Sequence, residues 1–150
     1  MLRRRLLLGS AAASLPLSAL MQQAHALPLK TLVFPRDRGA HPDFRTEWWY
    51  ITGQATSGKR VFGFQLTFFR SRVDSTQAMT SKFAAKQLVF AHAAITDVDG
   101  KKLWHDQRIS RDGFGVASAS EADMNIRLRD WSVESKGSRY TANLVSSDFA

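Results

Sequence analysis

From Val61 to Phe68 the chain reads Val-Phe-Gly-Phe-Gln-Leu-Thr-Phe, with a large apolar residue at every second position. In an extended chain Phe62, Phe64, Leu66 and Phe68 share one side, and Gly63, Gln65 and Thr67 share the other. A helix would scatter these four side chains around its axis, so they can be buried together only as a strand. The same period returns at Met124, Ile126 and Leu128, and again at Tyr140, Ala142 and Leu144. Between them Trp131 and Val133 are apolar but one residue out of phase, an offset that a bulge near Asp130 would produce. Gln87 to Asp97 is longer and more continuously apolar, the pattern of a strand covered on both faces. Ser57-Gly58, Asp99-Gly100 and Lys136-Gly137 punctuate these runs as turns do. Ser71 to Ala85 is polar and small, and reads as a long loop with one helical turn. Six or seven closely spaced strands predict an all-β, antiparallel meander, closed as a barrel, paired as a sandwich, or left open.

The first 26 residues do not share this pattern. Arg3-Arg4-Arg5 precedes an apolar, small-residue run, and Ala24-His25-Ala26 has the form of a cleavage site. This is the layout of a signal peptide over residues 1–26, with the mature chain starting near Leu27 and working in the periplasm or outside the cell. Arg3-Arg4-Arg5-Leu6-Leu7 also fits a twin-arginine export signal. Ser10, Ser14, Pro16 and Ser18 break the apolar run, so no integral membrane span is expected.

Composition excludes several function classes. The formal charge of +8 falls to about +5 once the three leader arginines are removed. The remaining cations are scattered and are not interleaved with stacking rings, so no nucleic acid is expected as partner. With no cysteine there is no disulfide, no thiolate metal site and no cysteine nucleophile. His41, His92 and His105 lack metal-ligand spacing. Trp104-His105-Asp106 places a histidine beside an acid, but neighbours on a strand point to opposite faces. Ser57 and Ser71 lack a nucleophile elbow, and no glycine-rich phosphate loop is present. Neither a metal nor a cofactor is implied.

The densest chemistry lies in His41-Pro42-Asp43-Phe44-Arg45-Thr46-Glu47-Trp48-Trp49-Tyr50. His41-Pro42 opens a turn. On the strand that follows, Trp48 and Tyr50 share a face with Thr52 and Gln54, and Glu47, Trp49 and Ile51 share the other. Both faces are aromatic, so one ring packs in the core while the other lines a cavity or lies under a neighbouring element. Arg45 and Glu47 are expected to form a structural ion pair at the mouth of the fold.

Three ordered blocks, residues 41–53, 62–70 (Phe-Gly-Phe-Gln-Leu-Thr-Phe-Phe-Arg) and 90–97 (Phe-Ala-His-Ala-Ala-Ile-Thr-Asp), resemble the carotenoid 1,2-hydratase (CrtC) and AttH family of lipocalin-like proteins, often labelled secreted hydrolases. The resemblance covers residues 28–150. It implies a lipocalin-like β-domain over 27–150, the first of the two such domains usual in the family, with the second absent from this sequence. It further implies a long apolar ligand, such as an isoprenoid, polyene or acyl chain, and a hydro-lyase that adds water to a C=C bond. Such chemistry needs a protonated acid, for which Glu47, His92 and Asp97 are the candidates. It also needs rings to stabilise a carbocation, for which Trp48, Trp49 and Tyr50 are placed. Phe62, Phe64 and Phe68 would line the ligand site. The rival expectation is a non-catalytic carrier, or an accessory protein of an ABC-type exporter. The last strand, Tyr140 to Val145, has neither proline nor charge to protect an edge. A second β-domain or a second copy of the chain is therefore expected to cover it.

Overall fold

Each strand pairs with the one before it, except at a single break that separates two sheets. The computed structural model describes residues 29–149, and the expected leader lies outside them. The strands are β1 (Thr46–Ser57), β2 (Arg60–Arg72), β3 (Gln87–Asp97), β4 (Lys102–Arg111), β5 (Ala117–Ala119), β6 (Asn125–Leu128), β7 (Trp131–Lys136) and β8 (Arg139–Asn143). They form two antiparallel four-stranded sheets, β1-β2-β3-β4 and β5-β6-β7-β8. The only helical pieces among the described residues are 3-10 turns at Arg36–Arg38 and Asp74–Thr76. Neither sheet closes, so the all-β meander is open, and β1, β4, β5 and β8 are edges.

The alternation at 61–68 does what its period demands. Opposite residues of an antiparallel pair share a face, and Phe68 lies opposite Trp49 and Ala91, Leu66 opposite Ile51 and Ala93. Phe68, Leu66, Trp49, Val89, Ala91 and Ala93 are buried on this inner face, against Ile126, Leu128, Trp131 and Val133 of the second sheet. The outer face carries Trp48, Tyr50, Phe69, Phe90 and His92. The long apolar run of β3 was expected to be covered on both faces. In fact its outer residues Leu88, Phe90, His92 and Ala94 are only half-buried and Thr96 is exposed, and the cover there includes rings of the same sheet: Phe90 stacks on Phe69 at 4.6 Å.

Turn chemistry explains the strand count. Gly58 and Gly137 take left-handed φ of 61° and 64° in two-residue links between β1 and β2 and between β7 and β8. The β3–β4 link runs from Val98 to Lys101, and its left-handed residue is Lys101, with φ 51°. Gly100 is required there for another reason: a Cβ would collide with the Asp97 carboxylate. No bulge stands at Asp130. Leu128 pairs with Trp131, so Arg129-Asp130 is a two-residue hairpin turn, with Arg129 at φ 58° and its N–H on the Val116 carbonyl at 2.7 Å. A one-residue phase slip and a tight turn look alike in sequence when no glycine or asparagine marks the turn. That turn and the three-residue β5 bring the count to eight.

Candidate functional site

The opening motif builds a buried polar cluster at one end of the first sheet. Arg70 continues the inward row Leu66-Phe68-Arg70 and is 2% exposed. Its Nε donates to Glu47 Oε1 at 2.6 Å. Nη1 donates to Gln87 Oε1 at 2.5 Å and to the Pro42 carbonyl at 3.4 Å. Nη2 donates to the carbonyls of His41 and Phe44 at 2.8 and 2.7 Å. A guanidinium has five N–H donors, and each has an acceptor here. Glu47 also accepts the His41 backbone N–H at 2.8 Å, while the His41 ring lies between Glu47 Oε2 at 3.2 Å and Asp37 Oδ1 at 3.1 Å. The Trp49 indole N–H ties the same loop down through the Arg38 carbonyl, at 2.9 Å. Arg45 is exposed, and the ion pair expected between it and Glu47 is replaced by Arg70–Glu47, because Arg70 lies directly opposite Glu47 across β1 and β2. The alternation did carry this signal: counting by twos from Leu66 places Arg70 on the apolar face, where a charge needs a partner.

Asp97 is buried at the far end of β3. It accepts the Gly100 N–H at 2.9 Å and pairs with Arg60. Those contacts, the Gly100 N–H foremost, hold its carboxyl below the ordinary 3.8. It is therefore an anion at neutral pH, which is the wrong form for a proton donor. It lies on the inner face; His92, on the other side of the same strand, shares no site with it.

Two of the hollows among the described residues bear on the expected ligand site. The first lies on the inner face, between the first sheet and the end of β8. It has a volume of about 280 Å³ and is lined by Ile51, Phe64, Leu66, Ile95 and Leu144, with Ala142 at its rim. Of the phenylalanine row only Phe64 lines it. Phe68 is sealed in the core, and Phe62 lies beneath the Arg60 guanidinium at 5.0 Å. Trp49 belongs to the core, not to the hollow.

The second hollow, about 360 Å³, is on the outer face, among Trp48, Tyr50, Thr67, Phe69 and His92. Trp48 and Tyr50 are 58% and 64% exposed, and His92 rests against Phe69 at 5.5 Å. The expected ligand residues are thus divided between two faces of one sheet. Among the described residues no three acidic or histidine side chains are placed to hold a metal ion, and no helix is long and apolar enough to cross a membrane.

The sequence pattern of the AttH-like family matches residues 25–150. Among solved structures, a crystal structure of a Nitrosomonas europaea protein provisionally named AttH aligns at a TM-score of 0.67 and 40% identity. The alignment covers 81% of this chain and 36% of that one, so this chain spans little more than a third of that protein. None of the curated proteins matches it. With the family pattern running through both sheets and through the Glu47–Arg70 cluster, the chain belongs to the AttH-like family.

Proposed function

We propose that this domain binds a long apolar molecule, an isoprenoid, polyene or acyl chain, in the hollow between its two sheets. One observation carries the reading: an open cavity of about 280 Å³ whose side chains are almost all aliphatic or aromatic. Ligand sites of this kind are apolar with few polar groups. Glu47 and Asp97 are committed to ion pairs with Arg70 and Arg60, which favours a carrier over an enzyme in that hollow. Retinoid and fatty-acid probes test it through tryptophan emission, since Trp49 is two residues from Ile51 on the same face. Quenching at micromolar probe is the expected result; no quenching would leave the cavity a packing gap.

The outer hollow supports a second reading, a hydro-lyase. His92 would deliver a proton to one alkene carbon, and the Trp48 and Tyr50 rings would face the resulting cation. Water would then add to the other carbon and release its proton. Incubation with lycopene in heavy-oxygen water decides it, because only hydration puts the label in the product. In either reading the domain acts in the periplasm or outside the cell, delivered by the leader, and an ABC-type exporter is a fitting partner for a carrier. A second β-domain or a second copy would cover the free edge of β8.

A further inference from the structure

The β4–β5 link holds the most unusual backbone in the described chain. Gly113, Phe114 and Gly115 take φ of 95°, 57° and 72° in succession. Glycine tolerates that conformation and phenylalanine does not. The strain presents the Phe114 ring to solvent, 57% exposed, stacked on Phe83 of the β2–β3 loop at 5.6 Å and 14°. Phe83 is itself 63% exposed. The turn is closed by the Gly113 N–H on the Ala117 carbonyl at 2.9 Å and the Val116 N–H on the Gly113 carbonyl at 3.1 Å, while neither ring is part of the core. Cations surround the pair. The Arg111 guanidinium lies 4.3 Å from the Phe114 ring and 5.9 Å from Phe83, and donates to the Phe83 carbonyl. The Lys82 ammonium lies 5.6 Å from Phe83. Ile109, two residues before Arg111 on the same face of β4, is 60% exposed. Residues 79–86 and 109–116 together hold Lys82, Lys86 and Arg111 against one carboxylate, Asp112.

We infer that this corner of the molecule docks on an anionic lipid bilayer. Exposed rings at loop tips enter the boundary between headgroups and acyl chains, and lysine and arginine beside them meet the lipid phosphates. Charge complementarity selects a membrane over a second copy of this basic chain. Only the middle residue of the turn carries a strained side chain, and that side chain is a ring turned to solvent where either neighbour is glycine. Phe83, Phe114 and Arg111 line neither of the two hollows described above, and the inference stands or falls independently of the ligand reading.

Co-sedimentation of the chain from Leu27 onward, freed of the cationic leader, with vesicles tests the inference, comparing phosphatidylglycerol mixed with phosphatidylcholine against phosphatidylcholine alone. The chain should pellet with the anionic vesicles, release in high salt, and stay in solution with the neutral ones. Phe114→Gly separates a docking role from a structural one. It relieves the left-handed strain, so the melting temperature should hold or rise, while the vesicle affinity should fall about tenfold for the loss of one inserted ring. Phe83→Ser should weaken binding to a similar degree. Equal binding to neutral and anionic vesicles, binding to neither, or full affinity in Phe114→Gly would overturn the inference. So would a dimer in sedimentation that Phe114→Gly dissociates.

Discussion

Burying Arg70 is tolerable only because each of its five N–H groups meets an acceptor, four of which belong to Glu47 and the 42–44 turn or its flank. The side chain therefore anchors the motif to the sheet as well as balancing Glu47. Arg70→Ala should cost about 3–5 kcal/mol, since it leaves the part-buried Glu47 carboxylate without its counter-charge and takes one donor from each of three carbonyls. Arg70→Lys, lacking the planar fork, should recover only part of that in urea unfolding. Aspartates set the acid limit. Asp97 is held low first by the Gly100 N–H, Asp106 by Arg108 and Asp123 by the Ser135 hydroxyl, each below the ordinary 3.8. A depressed carboxyl in the folded state means that the unfolded chain binds protons first as pH falls. The stabilisation is therefore complete above the ordinary carboxylate range and is lost as pH drops through 3.8 toward the folded values. Calorimetry should show a melting temperature that is level near neutrality and falls in that acid window. Asp97→Asn should melt lower at neutral pH, with a shallower acid fall.

Among the elements, the β6–β7 hairpin departs furthest from the sequence-based expectation. Its two turn residues are Arg129 and Asp130, and Arg129 holds φ 58° without being glycine. The turn persists because both flanking strands are anchored: Leu128 and Trp131 are fully buried opposite each other, and the Arg129 N–H is bonded to Val116. Tertiary burial has overridden local preference. Arg129→Gly should therefore stabilise the domain, by about 1 kcal/mol, with no change in fold. A shift in the denaturant midpoint at constant slope is the measurement. The reverse outcome, destabilisation by glycine, would mean that the Arg129 side chain contributes more than its backbone costs. The β1–β2 hairpin shows the opposite case, since its register follows from the alternation on both strands and from Gly58 alone.

For the whole molecule, the apolar hollow between the sheets is where the proposed ligand can be tested, because its lining joins both sheets. Its rim residue Ala142 is exposed on edge strand β8. Ala142→Trp should plug the mouth without overpacking the core. The expected outcome is unchanged melting and a loss of about tenfold or more in affinity for an acyl or retinoid probe, read by titration of tryptophan emission. A ligand that does bind the folded state should raise the melting temperature of the parent chain with its concentration, and should do so far less in the variant.

The alternating runs, the three glycine turns and the absence of cysteine were enough to establish an all-β antiparallel meander, because a period of two can be buried in no other way. The same arithmetic determined which ring of Trp48-Trp49-Tyr50 would turn inward once one face was known to be core. It could not say which face that was, nor which cation would meet Glu47, because both depend on the partner strand lying opposite. Arg70 is 23 positions from Glu47 in the chain, and it is brought there by the β1–β2 register. Strand count was lost where Arg129 takes a left-handed conformation that its residue type does not announce, and at β5, whose three residues are too few to show a period. The division of the expected site into an inner apolar hollow and an outer aromatic one was likewise a decision of the tertiary structure. Only the packing of a second sheet against one face makes that face a core and leaves the other open.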